Sequence, residues 1–218
     1  KSPSPLSTRT PYPPPPHISP RPKFKSHKFA PPNFPICYNT FMNTNIIKFN
    51  ESQRRESIQG ALALRGEIEN ISDKIWKEDF KEIFFMGIGG TLASAMQTAT
   101  HCQMNCNLPV YTLSAGEYSA GGNMRVGEGS VVVFSSVSGT TPEIISAVER
   151  AKQAGAKIWA FLDDPKVPLA EMVHWRVSYP ENEQLKLFMA ADRLMYNAGQ
   201  FPEYAEYNAK MERHFADT

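Results

Sequence analysis

The sequence predicts an α/β fold: a three-layer αβα domain on a doubly wound parallel sheet, of the flavodoxin-like, nucleotide-free Rossmann type. Three observations carry that prediction. Short apolar runs alternate with longer helical patterns from about Phe80 to Tyr179. The runs are nearly continuous in apolar residues, as strands covered on both faces are. Two of them stop abruptly in Gly- or Ser-rich turns, where ligands of open α/β sheets sit.

Residues 1–41 come first and belong to none of this. They hold 12 of the 18 prolines, including Pro13 to Pro16, and show no helical or strand period. A segment with so little apolar surface cannot offset its chain entropy, so it is expected to be disordered and partly polyproline II. An acid-free transit-like leader, a partner-binding tail and an extension outside the natural start all fit it. The last is favoured, because the chain opens on Lys1 while Met42 stands just before the first globular sequence.

From Met42 the pattern changes. Ile58, Leu62, Ile68, Ile71 and Ile75 recur at roughly helical spacing, which predicts one or two amphipathic helices. "EIFFMGIGG" reads as a strand over Ile83 to Met86 ending in glycines, and "TLASAMQTATHCQM" as a helix of small residues. "LPVYTLS" and "SVVVF" read as the second and third strands. "TPEIISAVERAKQAG" is a helix stopped by Gly155. "AKIWAFL" is a fourth strand, "LAEMV" a short helix and "HWRVSY" a further strand. "NEQLKLFMAADRLMYNAG" and "PEYAEYNAKMERHF" close the chain as two helices. The first is rich enough in Leu, Met and Phe to predict packing against a second domain, missing from this chain or supplied by another.

Composition narrows the partners. Seven of the 23 Lys and Arg lie before Glu51, the first acidic residue, leaving 16 against 22 Asp and Glu in the remainder. A mildly acidic domain has no footprint for nucleic acid, so small molecules or proteins are the expected partners. No apolar run approaches the ~18 residues a membrane span needs, and the domain reads as cytoplasmic. Cys37, Cys102 and Cys106 make no disulfide framework. His101, Cys102 and Cys106 lack the fourth ligand of a tetrahedral metal site, so small buried thiols and no metal are expected.

The two strand-end turns carry the chemistry. In "GIGGT" a dinucleotide fingerprint would need a small residue at position 92, which is Leu92, and an acid about 20 positions on, where Leu113 and Ser114 stand. The phosphate-loop pattern fails too, since no Lys follows the glycines. What remains is a glycine turn offering Thr91 and backbone N–H groups, Gly90 among them, at a helix N-terminus, which is an anion site. No cofactor is expected. In "SSVSGTT" five hydroxyls fall within seven residues. Ser136, Ser138 and Thr141 can donate to an anion, as can the amides around Gly139 and Thr140. Thr141 can also cap a helix beginning with Pro142 at its first position. A turn and a cap need one Thr and one Gly. The surplus of neutral donors, with no cation beside them, predicts a phosphate held by hydroxyls, amides and a helix dipole.

On these residues the chain resembles the SIS (sugar isomerase) domain family, whose two loops have the forms C-G-T-S and S-x-S-G-x-T. Ser136 to Thr141 match the second motif fully. Gly89 to Thr91 match the first, with Thr91 in place of Ser and Ile88 in place of Cys. The resemblance spans about Glu56 to Phe215. With "GEY" at Gly116 to Tyr118, it is nearest the first half of fructosamine-6-phosphate deglycases, relatives of the isomerase half of glucosamine-6-phosphate synthase. It implies that residues 42–218 are a phosphosugar-binding SIS domain, the first of a tandem pair. It implies that Thr91, Ser136, Ser138 and Thr141 hold the phosphate of a sugar or amino-sugar adduct, and that Glu183 lines the same cleft as a catalytic group. The activity implied is that of a deglycase or isomerase, working by proton transfer at C1/C2 or cleavage of an amine adduct. Most of its acid–base groups would lie in a second SIS domain or a homo-oligomer partner. The alternatives are a binding fragment without chemistry and a sugar-phosphate-sensing regulatory domain.

Overall fold

The computed structural model describes residues 50–217. The leader 1–41 and Cys37 lie outside them. Five strands form one sheet: β1 (Glu82–Gly87), β2 (Val110–Ser114), β3 (Ser130–Ser136), β4 (Lys157–Leu162) and β5 (Trp175–Ser178). All four pairings are parallel, in the order β2-β1-β3-β4-β5. The chain runs outward from β1 to one edge and then returns to fill the other side. The carboxyl ends of β1 and β3 therefore face a switch point, the place where open α/β sheets bind ligands.

Every residue of β1 and β3 is buried, which is why their middles, Ile83–Met86 and Val131–Phe134, read as unbroken apolar runs. Successive side chains serve opposite faces. Ile83, Phe85, Val131, Val133, Trp159 and Phe161 pack on one side, under helices α2 (Arg65–Lys77), α3 (Gly90–Asn105) and α6 (Glu183–Asn197). Phe84, Met86, Val132, Phe134, Ile158 and Leu162 pack on the other, under α4 (Ala115–Gly121) and α5 (Pro142–Gln153). This is the predicted three-layer sandwich. Burying each such side chain contributes roughly 1.5–3 kcal/mol.

Helix α1 (Glu51–Ala63) starts at Asn50, whose side chain accepts the Gln53 N–H at 3.0 Å. It buries only Ala61, with Ile58 and Leu62 half-covered, whereas α2 buries Ile68, Ile71 and Ile75. The predicted amphipathic segment is thus two helices of unequal depth. Helix α7 (Tyr204–Asp217) closes the chain.

Two local expectations change. "LAEMV" forms a 3-10 turn over Pro168–Glu171 instead of an α-helix. Helix α4 has no counterpart in the predicted elements; Ser114 starts it by accepting the Glu117 N–H at 3.4 Å. Much of the apolar face of α6 is used within the domain: Leu187, Met189, Leu194 and Met195 are buried between α2, α3 and the sheet, while Leu185 and Phe188 stay half-buried. Among the described residues no helix is long and apolar enough to cross a membrane.

Candidate functional site

The first loop is two residues, Ile88 and Gly89, between β1 and α3. A Cβ on Gly87 would lie 2.6 Å from Leu92 N and from Thr91 Oγ1, so only glycine lets the helix come this close to the strand end. Gly89, at φ +59°, reverses the chain into the left-handed region that glycine enters freely. Ala93 N–H bonds to the Gly89 carbonyl, which leaves the Gly90, Thr91 and Leu92 amides as the unpaired first donors of α3. The Thr91 hydroxyl turns inward. Its Oγ1 accepts Ile88 N–H and donates to the Ile88 carbonyl, both at 3.0 Å. With its one proton committed there, Thr91 offers a ligand its amide, and its hydroxyl braces the loop.

The second loop continues β3. Ser135 and Ser136 are still in register with Phe161 and Leu162 of β4. Ser136 Oγ accepts the Gly139 N–H at 3.1 Å and keeps its own proton. Gly139 has φ +60°, and a Cβ there would meet Val167 Cγ2 at 2.2 Å. Ser138 makes only long contacts, 3.4 Å to Thr141 Oγ1 and 3.4 Å from Thr140 N, so its exposed hydroxyl is free to turn. Thr141 precedes α5, with Pro142 at the helix start as predicted, but its side chain makes no capping bond. Pro142 has no N–H, so the leading amides of α5, those of Glu143 and Ile144, are left for another acceptor.

The two loops share one cavity of about 350 Å³. Gly90, Thr91, Ser136, Ser138, Thr141 and Glu183 all line it, with Ile88, Ser135, Val137 and Ile144 completing the wall. Gly139 is buried behind the loop and does not line the cavity. Among the described residues no Lys or Arg lines it, and Glu183 is the one charged residue that does. Two helix N-termini therefore supply the positive potential.

Glu183 is the first residue of α6, and the two residues before it, Glu181 and Asn182, hold φ +57° and +51°. Side chains rarely adopt that conformation, which costs of order 1–3 kcal/mol each. The surroundings hold it in place: Ser57 donates to Glu181 Oε2 at 2.8 Å, and Asn182 Nδ2 donates to Ser57 Oγ at 2.6 Å. Ser94 of α3 then donates to Glu183 Oε1 at 3.2 Å.

Sequence reasoning missed Lys186, one turn further along α6. Its side chain is fully buried, its Nζ donates to the Tyr179 carbonyl, and Asp163 Oδ1 stands 3.9 Å away. Burial pushes its pKa below the usual lysine value, against the pull of Asp163 and Glu183. The signal available was a lone charge inside "LKL" on a predicted helix. Lys186 thus joins the ends of β4 and β5 through Asp163 and the Tyr179 carbonyl, and none of the three residues lines the cavity. His101, weighed with the cysteines, instead meets Asp192 of α6 at 2.7 Å and stacks on Phe188 at 4.8 Å. Cys102 is buried in α3, and Cys106 ends that helix half-buried.

The pattern that defines the SIS domain matches residues 75–194, more than half of the chain. The chain belongs to the SIS domain family. Among curated proteins it is similar to fructoselysine 6-phosphate deglycase of Escherichia coli K12, 28% identical over 113 residues, which is 51% of this chain and 33% of the enzyme. Among solved structures, a protein of Salmonella typhimurium LT2 classed as a phosphosugar isomerase has a TM-score of 0.64 at 17% identity, over 70% of this chain and 49% of that one. The C-terminal domain of glucosamine-fructose-6-phosphate aminotransferase from Francisella tularensis has a TM-score of 0.57 at 17% identity, covering 68% and 44%. NanR of Vibrio vulnificus, solved with ManNAc-6P, has 0.55 at 15%, covering 73% and 66%. At these identities the structures share the fold. The chain spans about a third of the length of the curated relatives it matches.

Proposed function

We propose that the cleft binds a sugar 6-phosphate, with the phosphate between the N-termini of α3 and α5, and that this is the phosphosugar domain of a deglycase or isomerase. One observation carries the reading. Two sets of unpaired helix amides and the hydroxyls of Ser136, Ser138 and Thr141 meet on one cavity that, among the described residues, no Lys or Arg lines. Neutral donors can approach a dianion closely, and each hydrogen bond to a charged group contributes ~1.5–3 kcal/mol. The likeness to fructoselysine 6-phosphate deglycase over half the chain points to the same substrate class.

In this arrangement Glu183 faces the sugar rather than the phosphate, since a carboxylate repels a dianion. Its place at the cavity wall suits proton transfer at the carbons next to the carbonyl of an open-chain sugar. A second SIS domain, in the same polypeptide or a partner, completes the reacting side of the cleft. Calorimetric titration with fructose 6-phosphate, glucosamine 6-phosphate, free fructose and NAD tests the binding. The phosphorylated sugars should bind, free fructose far more weakly, and NAD not at all. Glu183→Gln should keep sugar-phosphate affinity within a few-fold while abolishing any turnover of a fructosamine 6-phosphate. Equal affinity for free and phosphorylated sugar, or tight NAD binding, overturns the reading.

A further inference from the structure

Three positions of α1, each three residues after the last, meet the four residues that join β5 to α6. Arg54 Nη1 stands 3.8 Å from Glu181 Oε2. Ser57 Oγ donates to the same Glu181 oxygen at 2.8 Å and accepts from Asn182 Nδ2 at 2.6 Å. At Gly60 a Cβ would lie 1.8 Å from Tyr179 Oη, so the tyrosine ring occupies the space of a missing side chain. Otherwise α1 is lightly held, with Ala61 its one buried residue. A loosely packed helix thus holds the connection that delivers Glu183.

Glu181 and Asn182 precede Glu183 directly, at φ +57° and +51°. Asn enters this left-handed region more readily than Glu does, so Glu181 needs the firmer hold. The dihedrals just before a helix set where its first side chains point, so this pair aims Glu183. Two grips keep the turn. On the sheet side, Glu181 N–H donates to Asp163 Oδ2 at 3.4 Å, and Lys186 Nζ donates to the Tyr179 carbonyl. On the outer side the Arg54 pair is exposed and long, which makes it weak, so Ser57 holds the side chains of both left-handed residues. Asn182 makes no capping bond to α6; its amide is given to Ser57 instead. The carboxylate itself is gripped by Ser94, buried in α3 within one turn of the amides of the first loop. We propose that Ser57 is a positioning residue for Glu183: from α1 it holds the left-handed turn that aims this carboxylate into the cleft. The inference rests on the reading of Glu183 as the group that faces the sugar. Because α1 is lightly packed, its release would free the carboxylate and leave both phosphate loops in place.

Two variants of the full chain test it. Ser57→Ala deletes the clamp, and Gly60→Ala drives a methyl into Tyr179. Ala is a better helix former than Ser or Gly, so neither change unwinds α1 by itself. The protein is treated with a water-soluble carbodiimide and glycinamide, then digested with trypsin. Glu183 falls on peptide 177–186, where fragment ions separate it from Glu181, and the exposed Glu171 falls on peptide 167–176 as the reference. Relative to Glu171, Glu183 should be amidated at least about threefold faster in both variants than in the parent, as an opened turn exposes it. Ser57→Thr keeps the hydroxyl and should keep the parent ratio. Fructose 6-phosphate should bind the parent and Ser57→Ala with affinities within about threefold, because the amides of α3 and α5 are untouched. A parent that does not bind fructose 6-phosphate defeats the sugar-phosphate reading alone; the amidation ratio decides what Ser57 does. An unchanged ratio in Ser57→Ala, whatever its melting temperature, makes Ser57 a structural residue and overturns the proposal. So does a Ser57→Thr protein that labels like Ser57→Ala.

Discussion

Two hydroxyls of the cleft, on Thr91 and Ser138, have opposite duties. Ser138 makes only 3.4 Å contacts, so Ser138→Ala should leave the melting temperature of the unliganded protein unchanged. If the phosphate sits here, the same change should weaken sugar 6-phosphate binding roughly tenfold, since ~1.4 kcal/mol is a factor of ten. Thr91 bridges the Ile88 N–H and carbonyl, so Thr91→Ala should destabilise the free protein by about 1 kcal/mol. Melting curves and titrations of both variants separate the two roles. Lys186 gives a pH-dependent case. Its folded pKa lies below the unfolded value of 10.5, so the unfolded chain binds more protons between the two, and stability rises with pH across that window. The penalty is fully present below the folded pKa. Lys186→Met removes it, so the stability difference should move toward the wild type as the pH rises toward 10.5 in urea unfolding. The serine cluster was legible in the sequence because five hydroxyls in one loop are a local signal. Lys186 was not, because its meaning depends on α6 lying across the ends of β4 and β5.

At the scale of elements, the strands were legible for a physical reason. A parallel strand buried on both faces is apolar through its middle, as Ile83–Met86 of β1, Val131–Phe134 of β3 and Ile158–Leu162 of β4 are. Helix α4 escaped because seven residues with two glycines show no period, although Ser114 and Glu117 have the spacing of a capping box. The three partners that cover most of the apolar face of α6, namely α2, α3 and the sheet, are not visible in a helical period. The loop between β3 and α5 has the most exacting backbone. Gly139→Ala must hold φ +60° and push its new methyl into Val167. It should lower the melting temperature by at least about 3 °C, as ~1 kcal/mol corresponds to about 2–4 °C in a domain of this size. Val167→Ala in the same chain should recover only the part due to the clash.

For the whole molecule, the scale is set by the residues that form the layers. Its layers, caps and cleft are built from residues 50–217. A chain starting at Met42 should therefore melt at the same temperature as the full one. A loss of several degrees would show that the proline-rich leader contributes to stability.

The ladder between β3 and β4 runs two residues into the serine loop, through Ser135 with Phe161 and Ser136 with Leu162. The cleft is consequently mounted on the strands that should be slowest to exchange their amide protons for deuterium. Protection should fall steeply between Ser136 and Ser138, from the rate of global opening to that of an exposed turn. An anion seated at Thr140 and Glu143 would slow those amides alone and leave the strand amides untouched. The site would then fill without a rearrangement of the sheet beneath it, so its occupancy could be read from the exchange of a handful of backbone protons.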